Sequence, residues 1–343
     1  MNKTTSRYTI ADVARYAGVS KATVSRFLNH RDTLLSAEIA RRVEAAIEEL
    51  GYVPSPMAQA LKRGRSRLIG LVVADIANPY SVAVLRGAEL ACRQAGYLVM
   101  LFNLGNESER ESAGLRALSS YKVEGFILNT MGHDTGSLLE AATHGRPVVL
   151  VDRMHPGLNV DFISLDNAQA VGEGVRHLRE SGYHDLLLVT EPLGAVSSRL
   201  ERSQVFETLV HEQADVLRGS RYESPDDDDP GLVAALRALR RRAGKNRMPA
   251  VLAANVVITL RVIAAIEKLG WRLGAQVGLV GIDDARWAPY IGPGITTIAQ
   301  PTDRIGERAA ECLLQRIGGL SGPARAIRLP GTLMVRGSTT RQK

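Results

Sequence analysis

The residues able to do covalent chemistry are scattered along this chain. The seven histidines do not cluster, and no Gly-x-Ser-x-Gly, phosphate-loop or His-Glu-x-x-His pattern occurs. No catalytic constellation is visible, so the chain is expected not to be an enzyme, with no metal and no cofactor. Cys92 and Cys312 lack a metal-ligand spacing and lie among apolar neighbours, which reads as two buried free thiols in a reducing compartment. Four carboxylates, Asp226–Asp229, precede Pro230-Gly231. They lack the spacing and trailing Glu of a calcium loop and read as a solvated loop capping the next helix.

The chemistry that does stand out is that of binding. In Thr9-Ile-Ala-Asp-Val-Ala-Arg-Tyr-Ala-Gly-Val-Ser-Lys-Ala-Thr-Val-Ser-Arg26 a helix, a Gly-containing turn and a second helix follow at the spacing of a helix-turn-helix. The second helix opens on polar and cationic residues, as a recognition helix should. Thr9 is the expected N-cap, Gly18 the C′ residue and Ser20 the next cap. Small residues at Ala14 and Ala22 are expected to let the helices approach, with Val13, Val19 and Val24 filling the space between them. A third helix is expected over Ala37–Leu50, with Ile39, Val43, Ala46, Ile47 and Leu50 on one face and Gly51 at its end. Pro54 and Pro56 then break the chain, and residues 57–66 form a short basic helix or a linker.

From Arg67 the pattern changes. Apolar runs at Leu68–Val73, Tyr97–Phe102, Gly125–Leu128, Val148–Val151, Asp185–Val189, Ala250–Ala253 and Val277–Ile282 read as buried parallel strands. Amphipathic stretches at Val82–Ala95, Glu107–Ser119, Ala168–Ser181, Ser203–Glu212, Gly231–Arg242 and Ile258–Leu269 read as the helices between them. A helix over Arg304–Arg316 and a strand near Ile327–Leu329 follow. This alternation exceeds one small sheet, so two similar α/β subdomains are expected.

Charge divides the same way. Residues 1–66 hold 11 Lys/Arg against 6 Asp/Glu, and the remaining 277 residues contribute only +2 of the net +7. A basic end on a nearly neutral body is the electrostatic footprint of nucleic-acid binding at that end. Met1–Ser6 has no apolar segment behind it, and no run approaches the roughly 18 apolar residues that span a bilayer. A cytoplasmic protein is the expectation, nucleoid-associated through that basic end.

The helix-turn-helix segment resembles the LacI/GalR family of bacterial repressors. The resemblance rests on Ile-Ala-Asp-Val-Ala, Ala-Gly-Val-Ser and Ala-Thr-Val-Ser-Arg, then Asn29, Ala45-Ala46-Ile47-Glu48-Glu49-Leu50-Gly51-Tyr52, Pro54, Ala58 and Leu61. It extends through Ile69-Gly70-Leu71-Val72, Asn78-Pro79-Tyr80, Val280-Gly281-Ile282-Asp283 and Thr296-Thr297-Ile298-Ala299-Gln300-Pro301, so it covers essentially the whole chain. It implies an all-α helix-turn-helix headpiece (1–53) and a hinge helix or linker (54–66). The core (67–343) would be α/β, of two doubly wound parallel-sheet subdomains like a periplasmic binding protein. The N-subdomain would span about 67–167 plus 299–331, and the C-subdomain about 168–298.

By that resemblance, Lys21, Ala22 and Arg26 face base edges in the major groove, while Thr9, Ser20, Thr23, Ser25 and Asn29 suit phosphates. Ala58, Leu61 and Lys62 belong to the minor-groove hinge, with Leu61 as the apolar wedge that unstacks a base step. The effector cleft takes Tyr80, Ser81, Arg153, Ser198, Arg199, Arg202, Asn255 and Asp283. Two or three arginines there would favour an anionic ligand. The family's usual Asn-Asp is Asn255-Val256 here, so one polar contact near the cleft is absent.

The pattern looks most like regulators of sugar-acid catabolism, 2-ketogluconate among the candidates. The expected partners are a pseudo-palindromic double-stranded operator, a sugar or sugar-acid effector and a second copy of the chain, with no membrane. Whether the effector releases the operator or acts as corepressor stays open. A sugar sensor without DNA function would show no headpiece. No heptad tail precedes Lys343, which favours a dimer over a tetramer.

Overall fold

The computed structural model describes residues 8–28, 35–53, 65–105, 107, 110–130, 145–155, 157–226, 229–245 and 247–340. The chain divides into two compact units, Met1–Ser66 and Arg67–Lys343.

Among the described residues, the first unit is a cluster of three helices, α1 (Ile10–Ala17), α2 (Lys21–Leu28) and α3 (Ala37–Leu50). Thr9 and Asp12 form a reciprocal capping box at the start of α1, which satisfies two otherwise orphaned amides. Gly18 ends α1 at φ +63°, a left-handed conformation that side chains rarely adopt. Arg42 on α3 donates to the carbonyl of Ala17 at 2.7 Å and so fastens the turn to the third helix. Val13, Ala14, Ala17, Val24, Val43 and Ala46 form the buried centre, with Val19, Ile39, Ile47 and Leu50 packed against it. Ala22 differs from expectation: it is exposed, so Ala14 rather than Ala22 sets the closeness of α1 and α2.

Among the described residues, the second unit holds two six-stranded sheets. The first contains β1 (Leu68–Val73), β2 (Leu98–Asn103), β3 (Gly125–Asn129), β4 (Val148–Val151), β5 (Asp161–Leu165) and β11 (Ala326–Leu329). Its order is β11-β5-β4-β3-β1-β2, parallel throughout. The second contains β6 (Tyr183–Thr190), β7 (Arg218–Glu223), β8 (Met248–Ala253), β9 (Gly278–Ile282), β10 (Thr296–Ala299) and β12 (Thr332–Met334). Its order is β12-β10-β9-β8-β6-β7, with only β12 antiparallel.

Each sheet is covered on both faces, as parallel strands require. Ile69, Leu71 and Val73 point to a core shared with α4 (Pro79–Gln94) and α10 (Thr302–Ile317). Val72, Phe126 and Leu128 point the other way, under α5 (Arg110–Ser120). In the second sheet Leu186 and Leu188 face α6 (Asn167–Glu180) and α7 (Ser197–Glu212). Leu187 and Val189 face α8 (Asp229–Ala243) and α9 (Val256–Lys268). Cys92 and Cys312 are free and buried in the core under α4 and α10, where burial pushes the Cys92 thiol up to about 11.

The sheets are joined by three crossings: β5 into α6, β10 into α10, and β11 into β12. Four strands lie outside the apolar runs of the sequence. β7, Arg-Gly-Ser-Arg-Tyr-Glu, is a largely polar edge strand, and β5 carries Asp161 and Ser164 among its apolar residues. β10 carries two threonines, and β12 is three residues long. Helix α7 begins at Ser197, six residues before the stretch legible as a helix, because its first turns bury Ser198 and Arg202 rather than apolar groups.

Candidate functional site

Two sites emerge, one in each unit. In the first, Lys21, Ala22 and Arg26 are exposed on α2, whereas Val24 between them is fully buried. That separation is what helical periodicity dictates: Val24 anchors the helix and the other three face outward. Ser20 caps α2 by accepting from Thr23 N–H at 3.1 Å, and the two hydroxyls lie 2.9 Å apart. Thr9 serves the capping box of α1, and Ser25 is half-buried. The first turns of α1 and α2 therefore set hydroxyls at the positive ends of two helices, an arrangement suited to phosphate. Asn29, Ala58, Leu61 and Lys62 lie outside the described residues.

In the second unit, Tyr80, Ser81, Arg153, Ser198, Arg199, Arg202, Asn255 and Asp283 all line one cavity of about 230 Å³. They come from both sheets because each sits just past the carboxyl end of a strand or in the first turns of the helix that follows. There an α/β sheet presents side chains free of its own ladder. The same rule brings in groups that the sequence reading left out: Asp75 after β1, Asn129 ending β3, Asp152 after β4, Glu191 after β6, Asp226 beyond β7 and Gln300 after β10. Their signal was a polar residue ending an apolar run, which is weak one residue at a time.

Most of these groups hold one another. Arg202, 5% exposed, donates from Nε to Asn167 Oδ1 at 2.7 Å and from Nη1 to the Ala254 carbonyl at 2.6 Å. Its Nη2 faces Asp152 Oδ1 at 3.8 Å. Ser198 donates to Asp152 Oδ2 at 3.2 Å, and Arg153 Nε lies 3.6 Å from the same oxygen. Arg153 also donates to the Thr130 carbonyl at 3.1 Å. Arg199 pairs with Glu191 at 2.8 Å, and Asn255 donates to Glu191 at 2.6 Å while capping α9 through its oxygen. Arg153 and Arg199 are thus enclosed in ion pairs at the cleft and are not solvated surface charges. Val256 is buried, and its N–H donates to Asp283 Oδ2 at 3.0 Å.

The backbone is unusual at two of the carboxylates. Asp152 and Asp283 have φ of +65° and +81°, a region non-glycine residues avoid and which functional sites retain. Burial pushes the Asp283 carboxyl up, aided by Asp152, against the pull of Arg202, the Val256 N–H and Gln300. Burial, with Asp152 and Asp283 nearby, pushes the Tyr80 phenol well above its usual value and keeps it neutral. The buried Tyr80 Oη and Gln300 Oε1 have no hydrogen-bond partner among the described residues. Groups of this kind in a cavity mark where a polar ligand completes the network.

The arginines share the cleft with acids: Asp75, Asp152, Glu191, Asp226 and Asp283 line it alongside three guanidiniums. Asp226, expected in a solvated loop, reaches the cleft mouth and is 86% exposed, and Asp229 opens α8, where Lys268 pairs with it at 2.7 Å. Among the described residues, no group of His, Cys, Asp or Glu could hold a metal ion, and no helix is long and apolar enough to cross a membrane.

Comparison with known proteins covers both units. Residues 9–55 match the model of bacterial regulatory proteins of the lacI family, and residues 175–339 match a periplasmic binding protein-like domain. The HTH-type transcriptional regulator PtxS of Pseudomonas putida is 48% identical over 99% of this chain and 98% of its own. The HTH-type transcriptional regulator KdgR of Bacillus subtilis is 41% identical over 98% and 99%. The crystal structure of the lac repressor dimer bound to operator and the anti-inducer ONPF superposes with a TM-score of 0.83 at 27% identity, covering 98% of this chain and 100% of that one. The chain belongs to the lacI family of bacterial regulatory proteins, which are DNA-binding transcription regulators rather than enzymes.

Proposed function

We propose that the chain represses a carbohydrate or sugar-acid catabolic operon and that a monosaccharide-sized effector in the cleft changes its operator affinity. The observation that carries this reading is the convergence of eight separately placed residues on one polar cavity. At about 230 Å³ that cavity is smaller than the roughly 300–1,000 Å³ of drug-sized sites. Asp152, Glu191 and Asp283 are acceptors for ligand hydroxyls, Tyr80 and Gln300 add unpaired polar atoms, and Arg153 and Arg199 can exchange their cleft acids for a ligand carboxylate. This favours a sugar acid such as 2-ketogluconate. The surplus of carboxylates favours a second reading, a neutral sugar.

In this account the headpiece (1–53) reads DNA through Lys21, Ala22 and Arg26 and holds phosphates with Thr9, Ser20, Thr23, Ser25 and Asn29. The linker (54–66) carries the minor-groove contacts Ala58, Leu61 and Lys62. Two copies present two recognition helices to a pseudo-palindromic operator. Strand β2 supports such a pairing: it is a sheet edge with Leu98 and Leu101 exposed by 66% and 40%.

Calorimetric titration of the full chain with 2-ketogluconate, gluconate, glucose and ribose tests the effector class. Binding of the acids alone supports the sugar-acid reading, and binding of the neutral sugars alone replaces it. Heat from none of the four contradicts both.

A further inference from the structure

Arg202 is held at three points, and two of its holders, Asn167 and the Ala254 carbonyl, lie outside the cavity lining. Asn167 is the first residue of α6, where the chain leaves β5 of the first sheet for the second, and it is 1% exposed. Its oxygen accepts from Arg202 Nε at 2.7 Å, and its amide nitrogen donates to Glu201 Oε2 at 2.9 Å. The other oxygen of Glu201 pairs with Arg328 on β11, the edge strand of the first sheet. An unbroken polar chain therefore runs Arg202–Asn167–Glu201–Arg328, starting on a helix of the second sheet, passing through a crossing and ending on the first sheet.

The amide at position 167 is chemically specific. It must accept on one side and donate on the other, and burial denies either atom a water in exchange. Aspartate there could still accept from Arg202 but would face Glu201 with a second carboxylate. The same helical turn also ties down another crossing. Gln169 exchanges hydrogen bonds with the backbone of Gly331 at 2.9 and 3.2 Å, between β11 and β12. A side chain at Gly331 would meet Ile298 at 2.7 Å, so this crossing has no slack. The Glu201–Arg328 pair is about one-third exposed on each side, which limits its worth as a source of stability. Its value is geometric: it fixes α7 against β11.

We propose that Asn167 is a positioning residue that, with Glu201 and Arg328, couples the cleft arginine Arg202 to the edge of the first sheet. The coupling rests on the reading that Arg202 meets the effector. An effector that moves Arg202 then moves α7 relative to β11 through this chain, and the two sheets respond together. Linkage requires that the reverse also hold, so changes at Arg328 alter the cleft.

Amide hydrogen exchange of the full-length, ligand-free chain tests the relay without any effector. Asn167→Asp is expected to speed exchange of the β11 amides about tenfold, the size of one lost charge-assisted hydrogen bond. Arg202→Ala is expected to act in the same direction, and the double variant no further. Combining Asn167→Asp with Glu201→Gln exchanges donor and acceptor, and it should return β11 to within about threefold of wild type. A purely structural role for Asn167 would not be rescued this way. Arg328→Gln, a change at a partly exposed edge, serves if the Asn167 variants fail to fold. It should weaken 2-ketogluconate binding severalfold and speed exchange at the first turns of α7.

Unchanged β11 exchange in both Asn167→Asp and Arg202→Ala overturns the relay. So does failure of the exchanged pair to recover while remaining folded, or an unaltered α7 in Arg328→Gln. Retention of 2-ketogluconate binding by Arg202→Ala is a different result: it removes the effector role of Arg202 and leaves the exchange test standing.

Discussion

Ser198 on α7 donates its hydroxyl to Asp152 Oδ2 at 3.2 Å, and both residues are buried. One belongs to the second sheet's side of the cleft and the other follows β4 of the first, so the bond spans the site. Ser198→Ala is expected to cost about 1 kcal/mol, the net worth of one ordinary hydrogen bond. Asp152→Ala is expected to cost more, roughly 3–5 kcal/mol, because Arg153 and Arg202 lose the carboxylate beside them. Urea unfolding of the two variants measures both, and equal costs would show that Asp152 does not balance the arginines.

Arg26→Ala is expected to relax base preference at one operator position by about 1–3 kcal/mol while leaving others intact. The exposed position of Arg26, two residues past the buried Val24, is the basis for this. Anisotropy titrations against a set of singly substituted operator duplexes read it directly. A uniform loss over all duplexes would make Arg26 a phosphate contact.

Two buried carboxylates predict opposite pH behaviour. Burial alone would push Asp161 up, but bonds from both Arg316 and Arg325 outweigh it and hold the carboxyl well below the usual range. Its stabilisation is present above the unfolded-state value near 3.9 and is lost as pH falls below it. Asp283 is pushed up by burial, so its contribution is full at low pH and declines as pH rises through its folded-state value. Asp161→Asn should therefore weaken the chain most at neutral pH and flatten its acid-side decline. Asp283→Asn should stabilise the ligand-free chain near neutrality and lower effector affinity. Urea midpoints measured from about pH 2 to 8 test both signs.

Much of this was legible in the sequence, for definable reasons. The caps Thr9, Ser20, Gly18 and Gly51 act through bonds within a few residues, so local sequence carries them. Most of the apolar strands were visible because both of their faces are buried; β2 and β11 are apolar as well, although they are partly exposed edge strands. Strand β7 and the start of α7 were not, since one is an exposed edge and the other turns polar groups into the cleft. The candidate cleft arginines were visible through resemblance. The acids that balance them were not: the turns after β4 and β6 fold Asp152 against Arg153 and Glu191 against Arg199, and only the meeting of the two sheets brings Asp152 to Arg202. Asn167 was invisible for the same reason, as its partners lie 34 and 35 residues away.

The crossing of α4 and α10 was also beyond sequence patterning. A side chain at Gly87 would lie 2.0 Å from the backbone oxygen of Asp303, and one at Gly306 would lie 2.0 Å from that of Val84. Backbone cannot retreat as a side chain can. Gly87→Ala is expected to force the helices apart and destabilise the chain by at least about 1–3 kcal/mol, despite the better helix propensity of alanine. A rise in thermal unfolding midpoint would contradict the close crossing.

Regulation by this chain requires an effector that gates sequence-selective DNA binding. Operator duplexes selected from a random pool, titrated by anisotropy with and without 2-ketogluconate, test this in one experiment with wild type and Arg202→Ala. The expected result is wild-type binding at least about 10³-fold tighter to selected than to random duplex. That affinity should change on adding 2-ketogluconate, and Arg202→Ala should bind the operator without that change. Salt-sensitive binding that ignores sequence, with no response to any sugar or sugar acid, would contradict it.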